Sequence, residues 1–251
     1  MLDQITPTIL TFNEESNIER TLKALEWANE VVVIDSFSTD KTLEVCAQFK
    51  NVKVIQHPFS TNSAQSNFAL SQVTKTPWVL AMDADYIVTE ELKNELANIK
   101  PVDQTNGYLI NFKYVVQGKT LRGSLYPPRL SLYKKSQTQY IQDGHTQRAK
   151  VQGNIGQLSC VLLHDDRKPY SRWFGSQKRY ASEEAIKMSK TPWASKSFAD
   201  RVRFLGLGPL VVIPYTLFAK GLILNGFAGL EYTFQRFVAE LFLLRARFIK
   251  R

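Results

Sequence analysis

Two acidic residues, Asp83 and Asp85, stand one position apart directly after the apolar residues 78–82. A short apolar run of this kind predicts a buried strand. Ligands of open α/β sheets bind at the carboxyl ends of the strands, which is where these two carboxylates would lie. There they could hold a divalent cation through oxygen ligands, while the cation holds a diphosphate. Because D-x-D triplets also occur by chance in loops, the preceding strand is the stronger part of this evidence.

The elements that must position these carboxylates can be predicted from the spacing of apolar residues. Strands are predicted at residues 5–11, 30–34, 52–55 and 78–82, and helices at 18–25, 42–49 and 63–72. Such alternation with short links predicts a parallel, doubly wound sheet with right-handed crossovers. After residue 107 the pattern becomes β-rich, with strands predicted at 108–112 and 130–133, and beyond Pro169 it becomes helical.

The overall composition is that of a globular protein. The chain has 251 residues, 44% of them hydrophobic and 22% charged, which suits one domain with an appendage. Its two cysteines, Cys46 and Cys160, are too few for a disulfide framework and favour a reducing compartment. The first residues show neither a basic leader nor an apolar segment, so no secretory signal is expected.

The net charge of +9 is concentrated in the last third of the chain. Residues 167–251 contain 16 Lys and Arg and 5 Asp and Glu, a net charge of +11, whereas residues 1–166 contain 16 basic and 18 acidic residues, a net charge of −2. A basic segment can face nucleic acid, anionic lipid or a phosphorylated substrate, or can be a solvated helical surface. The charges are interleaved with Leu, Phe and Gly rather than clustered with stacking aromatic residues, which favours lipid over nucleic acid.

One long uncharged segment lies within this basic region. Residues 204–219 carry no charge, but their 16 positions include Gly and Pro and fall short of the roughly 20 apolar residues of a spanning helix. Lys220 interrupts the segment, and residues 221–230 are uncharged again. Basic residues on both sides favour interfacial helices that lie on an anionic membrane. The alternative is a helical hairpin packed on the α/β domain or on another subunit of a homo-oligomer.

Short motifs along the chain match one known family in the same order. They are TFNEESNI at 11–18, VIDSFSTDKT at 33–42, QSN at 65–67, DAD at 83–85, YPPRLSLY at 126–133, DGH at 143–145 and LLH at 162–164. Together they resemble the family 2 glycosyltransferases of the GT-A fold, and within them the bacterial lipopolysaccharide-core and polysaccharide branch. The resemblance is specific over roughly residues 5–95 and looser in the later part.

This resemblance implies a fold and a domain organisation. The fold is α/β of the GT-A type, a Rossmann-like, mainly parallel sheet with flanking helices, followed by C-terminal amphipathic helices. The catalytic domain would span residues 1–168, with a nucleotide-sugar-binding half at 1–100 and an acceptor-side half at 101–168. Residues 169–251 would form a basic helical region that associates with a membrane or oligomerises.

The resemblance also implies roles for single residues. The donor-binding residues would be Asn13, Glu14, Asp35, Gln65, Asn67, Asp83 and Arg129. The metal, Mg²⁺ or Mn²⁺, would be held by Asp85 and Asp83, with His164, which follows the apolar residues 160–163, as a third ligand. It would offset the charge on the leaving nucleoside diphosphate. Asp143 would deprotonate the acceptor hydroxyl, and His145 would either replace it as the base or orient it.

Each of these residues also has a structural explanation. Asp35 could cap the loop after its strand, and residues 13–14 could start a helix. Gln65 and Asn67 could lie on a solvated helix face. The charges of residues 164–168 could neutralise one another in a surface turn instead of pairing with phosphate.

The predicted function is inverting, metal-dependent transfer of a sugar from a nucleotide-sugar, preferably a UDP-sugar, to a lipopolysaccharide-core or lipid-linked acceptor. The protein is expected in the cytoplasm, peripheral on the inner face of the inner membrane, with no nucleic acid as partner. Two alternatives stay open. One is a transferase that loads polyprenyl phosphate. The other is a catalytically silent relative, because Tyr86 stands where many related proteins have Glu, and Thr146 stands where this branch usually has Glu.

Overall fold

The computed structural model describes residues 1–100, 105–143 and 146–249, without the side chains of Asp143 and Thr146. The chain forms two compact units. The first comprises Met1–Tyr114 and Tyr126–Arg167, and the second comprises Val115–Leu125 and Lys168–Arg251. The second unit therefore includes a short piece of chain from between the two parts of the first.

Strands and helices alternate up to residue 98, strands dominate to residue 164, and helices follow. The strands are β1 (Ile5–Thr11), β2 (Val31–Asp35), β3 (Val52–Gln56), β4 (Trp78–Asp83), β5 (Tyr86–Val88), β6 (Thr105–Val116), β7 (Lys119–Thr120), β8 (Arg129–Lys134), β9 (Thr138–Asp143), β10 (Thr146–Val151) and β11 (Asn154–His164). The helices are α1 (Ile18–Lys23), α2 (Thr42–Cys46), α3 (Asn62–Gln72), α4 (Glu90–Asn98), α5 (Tyr170–Lys190), α6 (Phe198–Phe204), α7 (Gly208–Pro214) and α8 (Phe227–Ile249).

The sheet of the first unit follows the strand order β3-β2-β1-β4-β8-β6-β11-β5. Parallel pairing joins β3 to β2, β2 to β1 and β1 to β4, and again β6 to β11. By contrast, β8 is antiparallel to both of its neighbours, and β5 is antiparallel to β11. The mainly parallel α/β sheet with C-terminal helices that the sequence predicts is confirmed. The antiparallel β8 in its middle is an addition to that prediction.

The apolar core lies on both faces of this sheet. In β2 all five residues are buried, with Val31 and Val33 in one core cluster and Val32 and Ile34 in the other. A strand covered on both faces needs apolar side chains at every position, which is why its sequence is a continuous β-branched run. One cluster takes apolar side chains from α1 and α4, and the other takes them from α3.

Threonine caps determine where two helices of the first unit begin. Thr61 Oγ1 accepts a hydrogen bond from the amide of Ala64 at the start of α3, at 3.1 Å. Thr89 Oγ1 accepts one from the amide of Leu92 at the start of α4, also at 3.1 Å. Each bond satisfies a backbone N–H that the first helical turn leaves without an intrahelical partner. The cap of α3 also sets the positions of the candidate residues on that helix.

The second unit contains the end of β6, the strand β7 and the helices α5 to α8. Val115 and Val116 pair with β7 in an antiparallel hairpin. Helices α5 and α8 pack through Ala181, Ala185 and Leu243. Gly221 turns the chain between α7 and α8 with a φ of 68°, a left-handed conformation that favours glycine. Within the described ranges, no helix has both the length and the apolar character that crossing a membrane requires.

Candidate active site

The two carboxylates of the D-x-D triplet lie where the chain leaves β4. Asp83 is the last residue of β4, and Asp85 directly precedes β5. Asp85 is buried, whereas 43% of the Asp83 side chain is exposed. The Asp85 carbonyl accepts a hydrogen bond from the amide of Asp165 at 3.0 Å, and the Ala84 carbonyl accepts one from Thr21 Oγ1 at 2.7 Å. The triplet is therefore held at its backbone, at the carboxyl end of the strand that the sequence predicts.

The long strand β11 brings His164 to this triplet. His164 ends β11 and pairs with Tyr86 in the antiparallel register of β11 and β5. Its Nε2 lies 3.1 Å from Asp85 Oδ2. Burial alone would lower the pKa of His164, but the nearby carboxylates, Asp85 first and then Asp83 and Asp166, together outweigh burial and leave that pKa above its ordinary value. The structure therefore brings together two of the three predicted metal ligands.

The Asp85 and His164 side chains fit two ligands of a divalent cation. Adjacent ligands of an octahedral cation are about 3 Å apart when each bond is about 2.1 Å long, and these two atoms are 3.1 Å apart. Carboxylate oxygen suits Mg²⁺ and Mn²⁺. Within the described part of the chain, no three or more His, Cys, Asp or Glu side chains gather around one point. The other ligands would be diphosphate oxygens and water, as is usual for Mg²⁺ in nucleotide sites.

Arg129, the first residue of β8, lies beside Asp83 and Tyr86. Its Nη1 is 3.3 Å from Asp83 Oδ2 and donates a hydrogen bond to the Tyr86 hydroxyl at 2.5 Å. Burial raises the pKa of Tyr86 well above its ordinary value, so the phenol stays protonated and neutral. The Arg129 side chain is 44% exposed, so its guanidinium is a positive charge that an anionic ligand beside Asp83 could reach.

Asp35 is fully buried at the end of β2 and caps the loop that follows. Its carboxylate accepts hydrogen bonds from the amide and hydroxyl of Ser38, from Thr11 Oγ1 at 3.1 Å and from Gln56 Nε2 at 3.2 Å. This is the loop-capping role that the sequence left open for Asp35. The contact between Asp35 and a nucleotide-sugar donor stays a prediction.

Asn13 and Glu14 join the loop after β1 to the loop after β2 and to the first residue of α2. Asn13 adopts the left-handed conformation, with a φ of 56°, which Asn tolerates better than most residues. Its Oδ1 accepts the amide of Thr39 at 2.7 Å. The amide of Glu14 donates to Thr42 Oγ1, also at 2.7 Å. Both predicted residues therefore lie at the carboxyl ends of the parallel strands, where they hold two loops together.

Gln65 and Asn67 on α3 bond to other parts of the first unit. Gln65 is buried, and its Nε2 donates to Ser36 Oγ at 3.0 Å and to the carbonyl of His57 at 3.1 Å. Asn67 exchanges two hydrogen bonds of 2.9 Å with the backbone of Tyr140 in β9. The alternative that Gln65 lies on a solvated helix face is therefore wrong. Donor binding by these two amides stays a prediction.

Asp143 and His145 are the two candidates for the general base. The backbone of Asp143 ends β9 and pairs with that of Thr146 in β10. The Asp143 side chain and all of His145 lie outside the described residues. Their catalytic roles therefore remain the prediction that the sequence makes.

Sequence reasoning missed a polar clamp behind the triplet, formed by Arg20, Asp165 and Arg167. Asp165 is buried, and its carboxylate pairs with Arg167 Nη2 at 2.7 Å and Arg20 Nε at 3.4 Å. Arg20 Nη2 also donates to the Asp165 carbonyl at 2.9 Å. The charge run at 164–168 is visible in the sequence, but nothing there indicates that its partner is a helix 145 residues earlier.

The curated proteins to which this chain is similar include glycosyltransferases of Rickettsia bellii and Rhizobium meliloti. An uncharacterized glycosyltransferase of Rickettsia bellii is 36% identical over 107 residues, which are 42% of this chain and 36% of that protein. The lipopolysaccharide core biosynthesis glycosyltransferase LpsC of Rhizobium meliloti is 26% identical over 169 residues, 62% of this chain and 61% of that protein. The chain thus spans less than two thirds of the length of either relative.

The chain is also similar to a solved structure and to a family model. The TarS 1-349 structure of S. aureus in complex with UDP-GlcNAc has a TM-score of 0.53 and 17% identity, covering 97% of this chain and 89% of that one. A likeness at this identity shows the fold alone. The family model described as glycosyl transferase family 2 matches residues 8–156, which is more than half of the chain. The chain therefore belongs to glycosyl transferase family 2.

Proposed function

We propose that this chain transfers a sugar from a nucleotide-sugar to a hydroxyl group of an acceptor, with inversion at the anomeric carbon and with a divalent cation. Family membership and the glycosyltransferase names of the relatives support the reaction class. The observation that carries the proposal is the cluster at the end of β4. There His164 Nε2 lies 3.1 Å from Asp85 Oδ2, and Arg129 lies beside Asp83.

The donor in this proposal is a UDP-sugar. The TarS structure that shares the fold contains UDP-GlcNAc, which supports this nucleotide. Asp83, which is half-exposed, would accept a hydrogen bond from the ribose, and Asn13 and Glu14 would line the nucleotide pocket. Arg129 would donate hydrogen bonds to the diphosphate, because a guanidinium matches the geometry of phosphate oxygens.

Asp85 and His164 would hold Mg²⁺ or Mn²⁺ in this arrangement. A cation bound there would offset the negative charge of the departing nucleoside diphosphate. The diphosphate would then be held on one side by the cation and on the other by Arg129. Both contacts together would restrict the donor to the orientation that in-line attack requires.

The acceptor in this proposal is a lipopolysaccharide-core or lipid-linked saccharide. The lipopolysaccharide-core role in the name of LpsC supports it. Asp143 would remove the proton of the attacking hydroxyl, assisted or replaced by His145. The reaction would take place at the inner face of the inner membrane, with the chain in the cytoplasm and bound to the surface. The basic residues 167–251 support that location.

Thermal unfolding with nucleotides tests the donor and metal parts of this proposal. UDP, GDP, CDP and ADP are compared, each with and without Mn²⁺, on the full chain. UDP with Mn²⁺ should raise the Tm by about 5–10 °C at a hundredfold excess over Kd. Asp85→Asn and His164→Ala should lose the part of this shift that depends on Mn²⁺. Asp3→Asn, the same acid-to-amide change at an exposed position, should retain all of it.

Release of UDP from UDP-sugars provides the matching activity measurement. We expect slow release that requires Mn²⁺ and disappears in Asp85→Asn. The proposal fails if no nucleoside diphosphate stabilises the chain, or if Asp85→Asn keeps the full manganese-dependent shift and UDP release.

A further inference from the structure

The second unit exposes an unusual concentration of large apolar side chains. Of the 25 exposed large apolar residues in the described ranges, 12 fall within the 30 positions 205–234. Single exposed apolar side chains are normal on soluble proteins, but a contiguous group marks an interaction surface. We call the exposed side chains of residues 205–234 the apolar face. Five of its members are 64–71% exposed: Leu205, Leu210, Phe218, Leu224 and Phe227.

The apolar face is the outer side of elements that are already packed. In α7 and the π-helical turn after it, Val212 and Thr216 are buried while Leu210 and Phe218 are exposed. In α8, Ala228 and Tyr232 are buried while Phe227 and its neighbours at helical spacing are exposed. The two sides of each helix are therefore used differently. The buried side packs within the unit, and the exposed side is available to a partner outside the chain.

The charges around the apolar face are arranged to suit an anionic partner. Residues 193–249 contain seven basic and three acidic residues. All three acidic side chains are bonded within the unit: Asp200 to Ser197 and Arg203, Glu231 to Tyr170 and Gln117, and Glu240 to Arg203. Lys220 lies in the turn in the middle of the apolar face, and the exposed Arg245 lies one turn after the exposed Leu241 on α8.

We propose that the apolar face docks onto an anionic lipid bilayer. Leu210, Phe218 and Leu224 enter the boundary between headgroups and acyl chains, and Lys220 and Arg245 contact lipid phosphates. Apolar side chains bordered by basic residues are the combination that binds amphipathic helices to such surfaces. A second copy of the chain fits less well, because a symmetric contact through this face would bring its basic residues close to one another. The inference gives the proposed membrane location a contact surface and is independent of the transfer chemistry.

Vesicle co-sedimentation of the full chain tests this proposal. Vesicles of phosphatidylcholine alone are compared with vesicles that also contain phosphatidylglycerol. Wild-type chain should bind the anionic vesicles, and added salt should weaken the binding because it screens the basic residues. The double variant Leu210→Glu/Leu224→Glu should bind at least about tenfold more weakly, because each Glu must stay outside the apolar layer. Ile155→Glu replaces an exposed apolar residue of the first unit and should bind like wild type.

A second double variant, Lys220→Gln/Arg245→Gln, should lose the preference for anionic vesicles while it keeps the weaker binding to neutral ones. Circular dichroism and UDP-dependent thermal shifts of every variant show whether it is folded and still binds nucleotide. A failure of the proposed function would remove the UDP shift and leave vesicle binding intact, so the two failures differ.

Two results overturn the proposal. One is equal vesicle binding by wild type and Leu210→Glu/Leu224→Glu. The other is that the wild-type chain does not bind vesicles and is a dimer by light scattering, while Leu210→Glu/Leu224→Glu is a monomer. In that case a second copy covers the apolar face.

Discussion

Replacing Asp165 by Asn removes one negative charge from the clamp behind the D-x-D triplet. The Asp165 carboxylate accepts hydrogen bonds from Arg167 Nε at 3.0 Å and forms ion pairs with Arg167 Nη2 and Arg20 Nε. Asn has the same shape, so packing is preserved and only the charge changes. Arg20 and Arg167 would then lie side by side without the carboxylate that separates their charges. We expect Asp165→Asn to destabilise the fold.

The size of this destabilisation follows from how far the charged side chains of the clamp are buried. Breaking a fully buried ion pair by removing one partner costs about 3–5 kcal/mol, whereas exposed pairs contribute about 0–1 kcal/mol. The Asp165 side chain is 6% exposed, but that of Arg20 is 25% and that of Arg167 is 54% exposed, so water still solvates both guanidinium groups. The Asn oxygen also keeps one hydrogen bond. An intermediate cost of about 2 kcal/mol results, which lowers the Tm of a chain of this size by about 4–8 °C.

Asp166→Asn is the matched control for this measurement. Asp166 is the adjacent residue and is exposed, and Asn17 Nδ2 donates to its Oδ1 at 3.0 Å. This variant should cost less than about 0.5 kcal/mol, as surface substitutions usually do. Urea denaturation and thermal unfolding followed by far-UV circular dichroism measure both variants. Equal losses in the two, or a loss below about 0.5 kcal/mol in Asp165→Asn, would refute the assignment of Asp165 as the centre of the clamp.

Two further predictions concern the frame around the site. Thr89 Oγ1 caps α4 by accepting a hydrogen bond from the amide of Leu92, and Thr89→Ala removes this cap. In urea denaturation Thr89→Ala should lower the free energy of unfolding by about 1 kcal/mol, while Thr89→Ser should lower it much less. Burial raises the pKa of Glu95, but the amides of Ser159 and Cys160 outweigh burial and hold that pKa below its ordinary value. The stabilisation from Glu95 is therefore present above the ordinary Glu pKa of about 4.3 and is lost as pH falls through the lowered pKa, so unfolding curves of Glu95→Gln should lack this acid-side loss.

Local sequence patterns predicted the strands whose formation depends mainly on their own apolar residues. The continuous β-branched run before Asp35 became β2, which is buried on both faces, and the apolar run before Asp83 became β4. Burial of an apolar run does not depend on which strand is its neighbour. For that reason the first four strands, and the polar residues at their ends, were predictable without knowledge of the pairing, whereas the short β5 was not among the predicted strands.

Strand pairing over long separations could not be predicted in the same way. His164 meets Asp85 only because β11 pairs with the short β5, and β8 inserts antiparallel between β4 and β6. A further long-range contact lies at the register shift of β11 between Gln157 and Val161. There Glu95 of α4 accepts hydrogen bonds from the amides of Ser159 and Cys160. Nothing in the local sequence specifies these partners. The approach of His164 to the triplet was predicted from the family resemblance and the preceding apolar run.

Five of the seven predicted donor-binding residues divide into two groups by what their side chains contact. Asp35, Gln65 and Asn67 direct their carboxylate and amide groups to other residues of the chain, and the first two are buried. Asp83 and Arg129 are about half exposed. A buried polar group is costly unless it is hydrogen-bonded, so the first group must keep its internal partners whether or not a donor is present. We infer that this group holds the loops in place in advance, and that the donor meets the second group. A site that is ordered before the donor binds loses less conformational entropy on binding. The internal hydrogen bonds of the first group therefore increase the affinity for the donor, although these residues do not contact it.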